Sequence, residues 1–164
     1  MIGHTVTTRE LRDWGFWDLE DRLDRLSDHL GHYPDEDEEI DLSEWMALEC
    51  MDIDDIFWIC AVVLAEHETV IEVGRLAVVR VDADDADERT RAFVVNAYRA
   101  IHDAGRPLRP GWKREKYLPF MGRSVARNIM LATARAVLAA PCAAAEVDQQ
   151  WEDLIRLLRA RGEE

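Results

Sequence analysis

The sequence predicts an all-α protein, a compact bundle of five to seven helices forming one domain over residues 1–164. Three observations carry that expectation. Apolar residues recur at steps of three and four through several long windows. Those windows open on Ser, Thr or Asp and close on Gly or Pro, the residues that start and stop helices. With 48% apolar residues and 6 Trp, the chain can also bury a core without disulfides or a structural metal, despite a formal net charge of −14.

Thr7 and Glu10 have the spacing of a capping box. Behind them Phe16, Leu19, Leu23, Leu26 and Leu30 form one apolar stripe. Glu20 with Asp24 and Asp21 with Arg25 stand at helical spacing on the charged side. Gly15 splits off a short first turn, and Gly31 with Pro34 ends the helix. Residues 33–41, YPDEDEEID, combine a proline with six acids in seven positions, which predicts an exposed loop. Ser43 is a candidate cap for a short helix carrying Trp45, Met46 and Cys50. Asp52, Asp54 or Asp55 caps the next helix, IFWICAVVLAEHE.

Residues 69–81, TVIEVGRLAVVRV, fit a helix better than the alternative, a short β-hairpin turning at Gly74-Arg75. In the helix, Glu68, Glu72, Arg75 and Val79 line the polar side, and Val70, Val73, Ala77 and Val81 the buried one. Asp85 and Glu88 repeat the capping pattern before a helix with Val94, Ala97, Tyr98 and Ile101 inside, ended by Gly105 and Pro107. Residues 105–122 hold three prolines, three glycines and the anchors Trp112, Tyr117 and Phe120, which predicts an irregular connection. The C-terminal helices span 123–161: an alanine-rich helix over 123–140, a break at Pro141, and a last helix facing inward with Val147, Trp151, Leu154, Ile155 and Leu158.

Charge divides the domain. Residues 26–74 contain no Lys or Arg but fifteen carboxylates, while 106–127 carry seven cations against Glu115 alone. The net charge is −18 over residues 1–105, +6 over 106–127 and −2 beyond. Acids at helix starts meet the positive end of the helix dipole and need no further role. The loop acids Asp35, Glu36, Asp37, Glu38, Glu39 and Asp41 have no such local reason, and Asp84 and Asp85 form a second acidic group. The expectation is a non-enzymatic protein that binds and inhibits a macromolecular partner with a basic surface. Such a protein acts as a nucleic-acid mimic of the phage anti-defence or toxin-neutralising type. Arg109, Lys113, Arg114 and Lys116 of the basic loop are interface candidates as well. They are better suited to charge pairing with the acidic half, within the chain or across a homodimer, than to direct nucleic-acid binding.

Other chemistry is poorly provided for. The three serines Ser27, Ser43 and Ser124 start or sit on helices, and neither a nucleophile elbow nor a phosphate-cradling glycine loop is present. His29 and His32 precede Asp35 and Glu36, but Gly31 and Pro34 separate them from any common helical face, and His102-Asp103 lacks matching ligands. No metal and no cofactor is expected. His67, between Glu66 and Glu68, reads as a solvated residue whose protonated form those acids favour. Cys50, Cys60 and Cys142 show no metal or redox spacing and read as buried small hydrophobes in a reducing compartment. The N-terminus has no export pattern, and the longest apolar run, Ile56 to Ala65, is about half of the ~20 residues a bilayer requires. A cytoplasmic location follows as the expectation. The enzymatic alternative is a magnesium-dependent, all-α nucleotide pyrophosphohydrolase, with Glu36 and Glu39 paired against Glu49 and Asp52.

The segments DLSEWMALECMDIDDIFWICAVV and DERTRAFVVNAYRAI, acidic caps followed by Trp- or Arg-bearing amphipathic helices, faintly resemble alanine-rich helical immunity proteins associated with polymorphic toxins. The resemblance covers under a quarter of the chain and implies a toxin-neutralising role without assigning any residue.

Overall fold

A computed structural model describes residues 1–81, 88, 90–93, 95, 96 and 114–162, with side chains in the last stretch from Phe120 onward. The elements run β1 (Thr5–Val6), α1 (Thr8–Asp13), α2 (Leu19–Leu30), β2 (Ile40–Asp41), α3 (Leu42–Met46), α4 (Ile53–Trp58), a π-helical turn (Ile59–Val63), α5 (His67–Arg80), α6 (Arg114–Ala139) and α7 (Ala143–Gly162). Glu88, Thr90 to Phe93, Val95 and Asn96 are also helical. The all-α architecture is the one the sequence predicts, with one addition: β1 and β2 pair antiparallel, Thr5 opposite Asp41 and Val6 opposite Ile40.

Residues 69–81 are helical and the hairpin alternative is not what forms. Val70, Val73 and Ala77 are fully buried and Val81 nearly so, while Arg75 donates twice to Glu72 on the outer side, at 2.7 and 2.6 Å. The capping box of Thr7 and Glu10 is formed, and α1 and α2 are separate helices around Gly15, whose φ of 77° only glycine adopts without strain. Asp52 and Asp55 make a second, reciprocal box at the start of α4.

The core joins Leu11, Leu23, Leu26, Trp45, Ile56, Phe57, Ile59, Ile71, Ile129, Leu154 and Leu158, all essentially inaccessible. Helix α6 runs through its centre, packing on α4, the π-helical turn, α5 and α7. Gly122 permits that approach. A Cβ there would strike the Ala61 carbonyl oxygen and come within 2.9 Å of Val62 Cα, both backbone atoms that cannot swing aside.

Five expectations are corrected. Helix α6 begins at Arg114, so 114–122 belong to it and not to an irregular connection. Pro119 lies in its second turn, where the missing N–H costs one backbone hydrogen bond without ending the helix. Ser43 does not cap α3; Asp41 does, accepting the Ser43 N–H at 2.9 Å. His67 is buried and not solvated, hydrogen-bonded through Nε2 to the Ala61 carbonyl at 2.9 Å, and desolvation lowers its pKa against the raising effects of that bond and of Glu66. Only Cys60 is fully buried, its thiol pKa raised by burial; Cys50 is half-buried and Cys142 exposed, and all three are free thiols. Finally, α7 turns polar residues inward. Glu146, Gln150 and Asp153 are buried beside Leu154 and Leu158, whereas Val147, Trp151 and Ile155 are half-buried.

The reason lies in Arg80, at the end of α5. Its Nε and Nη2 donate to the two oxygens of Glu146 at 3.0 and 2.9 Å, and its Nη1 donates to Asp153. Arg156 adds a bond to Asp153 at 3.1 Å, and Gln150 links Glu146 to the Thr133 carbonyl of α6. Charges that burial would otherwise penalise are thus satisfied, and three helices are keyed together.

Candidate functional site

The acidic loop is built on the turn that follows α2. The Glu38 N–H donates to the Asp35 carbonyl at 3.1 Å and the Asp35 N–H to Glu38 Oε2 at 3.2 Å, which closes residues 35–38 into a turn. From α1, the Arg9 N–H and the Thr8 hydroxyl both donate to the Glu36 carbonyl, at 3.0 and 3.3 Å. The chain then enters β2, where pairing with β1 fixes its direction. The loop is exposed, as predicted, and its backbone is held.

Two arginines of α1 supply the cations that residues 26–74 lack. Arg9 grips Asp37 through both oxygens, Nε at 2.6 Å and Nη2 at 3.0 Å, and lies 3.3 Å from Glu36. Arg12 donates to Glu36 at 2.5 Å and to Glu20 of α2 at 3.2 Å. Tyr33 reaches the other oxygen of Glu20 at 3.5 Å, and its hydroxyl pKa is raised by burial and by the charges of Glu20 and Asp24. His32 pairs with Glu38 at 2.9 Å, a hydrogen bond that raises the histidine pKa and lowers that of the carboxylate. His29 pairs with Glu44 of α3 at 2.7 Å.

These links tie Glu20 of α2, Glu36, Asp37 and Glu38 of the loop and Glu44 of α3 to α1, α2 and His32. With Asp24, whose charge acts on Tyr33, and the exposed loop residues Asp35 and Glu39, these make eight acids of one acidic face. Among the described residues, Arg9 and Arg12 are the arginines that pair with those eight carboxylates, and His29 and His32 hydrogen-bond to Glu44 and Glu38. Asp35 and Glu39 make no ion pair among the described residues. Glu20, Asp24 and Glu44 do not show in the sequence as part of this surface, since it is the three-dimensional course of α1 and α2 that brings them to the loop. The available signal was Arg9 and Arg12, one helical turn apart on a short helix that Gly15 reverses.

Other acids in the cation-free stretch are engaged inside the fold. Asp41 accepts from the Ile2, Gly3 and Ser43 N–H groups and from the Ser43 hydroxyl. Partial burial opposes its ionisation, but those donors outweigh it and hold the pKa at about 2. Asp55 is 2% exposed and takes Arg22 of α2 at 3.0 Å. Asp54 is the opposite case, with burial first, then the charges of Asp52 and Asp55, lifting its pKa to about 6.

Of the pyrophosphohydrolase candidates, Glu36 lies in the turn, Glu39 just before β2, and Glu49 and Asp52 between α3 and α4. Neither pair is on a helix, and no group of three or more His, Cys, Asp or Glu side chains converges as a metal site among the described residues. Asp84, Asp85, Arg109 and Lys113 lie outside the described residues, as do the side chains of Arg114 and Lys116. No described helix is long and apolar enough to cross a membrane.

The fold and this surface define an all-α protein with a small sheet and an acidic face. The chain matches no known protein family, no curated protein and no solved structure.

Proposed function

We propose that this is a non-enzymatic binding protein whose acidic face docks on the basic surface of a macromolecular partner and blocks it. The face comprises Glu20, Asp24, residues 35–39 and Glu44; Asp41 serves the fold beneath it. The observation that carries the reading is the order of the loop. Hydrogen bonds from the Thr8 hydroxyl and the Arg9 N–H and the turn at 35–38 hold a dense set of carboxylates in place while leaving Asp35 and Glu39 without an ion pair among the described residues. A solubilising charge run needs no fixed conformation, whereas a surface that competes for phosphate-binding sites gains affinity from preorganisation.

The test is capture of partners by the tagged full chain at about 0.05 M and about 0.5 M salt, a range over which the Debye length falls well below about 10 Å. Asp35→Lys with Glu39→Lys reverses two charges that make no ion pair among the described residues. The captured partner is expected to be lost both at high salt and with this double variant, whose melting temperature should be no lower than that of the native chain. Retention in both conditions overturns the proposal.

A further inference from the structure

Two arginines of α6, Arg123 and Arg127, bind no carboxylate among the described residues, as is also true of Arg25 and Arg159, but these two stand together at one cavity. Arg9, Arg12, Arg22, Arg80 and Arg156 each bind a carboxylate, as is natural in a chain with 34 acids and 20 Lys and Arg. Arg123 donates Nη2 to the Trp14 carbonyl at 2.8 Å and has no ion pair among the described residues, and Arg127 has neither hydrogen bond nor ion pair among them. The expected pairing of the basic segment with the acidic half is not made by these two residues. Both line the same cavity, of about 410 Å³.

The rest of that cavity is equally specific in chemistry. Ser124 and Asn128 line it from the same side of α6, and Asn128 Nδ2 donates to the Ser124 carbonyl at 2.8 Å, which leaves the amide oxygen as an acceptor. Phe93, Phe120 and Leu131 form the apolar part. Phe120 is 72% exposed, and Phe93 carries the Arg135 guanidinium 5.4 Å from its ring centroid. Guanidinium pairs take phosphate oxygens, and aromatic rings take flat heterocycles by stacking.

We propose that this cavity binds a nucleoside monophosphate unit, with Arg123 and Arg127 on the phosphate and Phe120 and Phe93 against the base. The volume lies in the range of about 300–1,000 Å³ typical of small-molecule sites. The net charge of −14 opposes an anion at long range, but at physiological salt charges beyond about 8 Å are largely screened. Local chemistry then decides, and the charged side chains among the described lining residues are the two cations Arg123 and Arg127. This site is separate from the acidic face and does not depend on it.

Calorimetric titration of the full chain with AMP, adenosine, inorganic phosphate and a 5′-phosphorylated single-stranded DNA hexamer tests the proposal. AMP is expected to bind once per chain, at least about tenfold more tightly than phosphate or adenosine, because only AMP uses both halves of the cavity. Arg127→Gln removes a side chain with no hydrogen bond or ion pair among the described residues, so the fold should keep its melting temperature while AMP affinity falls about tenfold or more. Phe120→Ala should weaken AMP and leave phosphate unchanged. A hexamer that binds more tightly than AMP assigns the site to a strand end, and one that binds equally or less tightly assigns it to free nucleotide. Absence of binding at millimolar AMP, phosphate binding as tight as AMP, or AMP affinity unchanged in both variants overturns it.

Discussion

At the residue scale the three informative acids are Asp41, Asp54 and Asp55, and the sequence distinguishes them poorly. All lie in one acidic stretch, yet Asp41 is held at a pKa of about 2 by its donors and Asp54 is lifted to about 6 by burial and like charges. Which occurs depends on whether N–H groups or carboxylates face the side chain, and Ile2 and Gly3, which face Asp41, are 39 and 38 residues away. Asp41 has a depressed pKa, so its contribution is present above the ordinary carboxylate value of 3.8 and is lost as pH falls toward 2. Asp41→Asn should therefore cost about 1–2 kcal/mol at pH 7, allowing for partial solvent screening, and the deficit should vanish near pH 2. Urea melts of both proteins across pH check this; a pH-independent deficit would point to shape and not charge. Asp54 reverses the sign, since the folded state binds its proton more tightly. Stability is lowered above pH 6 and the penalty is relieved as pH falls from 6 to about 4. Asp54→Asn should thus raise the melting temperature at pH 7.5 and leave it unchanged at pH 4. A destabilised variant at pH 7.5 would mean that the charge serves the N-terminal dipole of α4 more than burial costs it.

At the element scale, local patterns were legible and long-range ones were not. The boxes at Thr7 and Asp52 and the inner face of α5 could be read because every residue involved lies within a few turns of its neighbours. The start of α6 was missed because Pro119 and Gly122 read as breakers. Gly122 is there for close approach to the Ala61 backbone, a partner 61 residues earlier. The inner face of α7 was rotated for the same reason: nothing in VDQQWEDLI announces that Glu146, Gln150 and Asp153 meet Arg80. Those contacts make a prediction that separates buried from surface pairs. Arg80→Gln leaves Glu146 and Asp153, at 7% and 6% exposure, without their bidentate partner and should cost about 2–4 kcal/mol. Arg75→Gln, which breaks the exposed pair with Glu72, should cost less, under about 0.5 kcal/mol for that pair. Equal losses in chemical denaturation would show that the Arg80 network is solvated in solution. Gly122→Ala should destabilise by about 1–3 kcal/mol, because α6 must shift off the π-helical turn to admit a methyl group.

At the scale of the whole molecule, the division of charge is the property that sequence and structure describe differently. Along the chain, residues 26–74 are unneutralised; in space, Arg9 and Arg12 enter the loop, and Arg161 reaches Glu66 and Glu68 from the far end of α7. These pairs reduce the repulsion without removing it, since among the described residues eight carboxylates on the acidic face pair with two arginines. Self-repulsion of this kind destabilises the compact state and is relieved by screening, whereas the exposed ion pairs lose strength in the same salt. With 34 acids against 20 Lys and Arg, repulsion outweighs pairing, so the melting temperature should rise between about 0.02 and about 0.5 M sodium chloride. A compact polycation distinguishes general screening from a defined acidic face. Spermine should raise the melting temperature well beyond sodium chloride of equal ionic strength, because its four ammonium groups can bridge Asp35, Glu39 and their neighbours at once. Asp35→Lys with Glu39→Lys should remove most of that excess while keeping the sodium chloride response. If spermine acts only through ionic strength, or acts equally on the double variant, the carboxylates do not function as one surface and the docking proposal loses its physical basis.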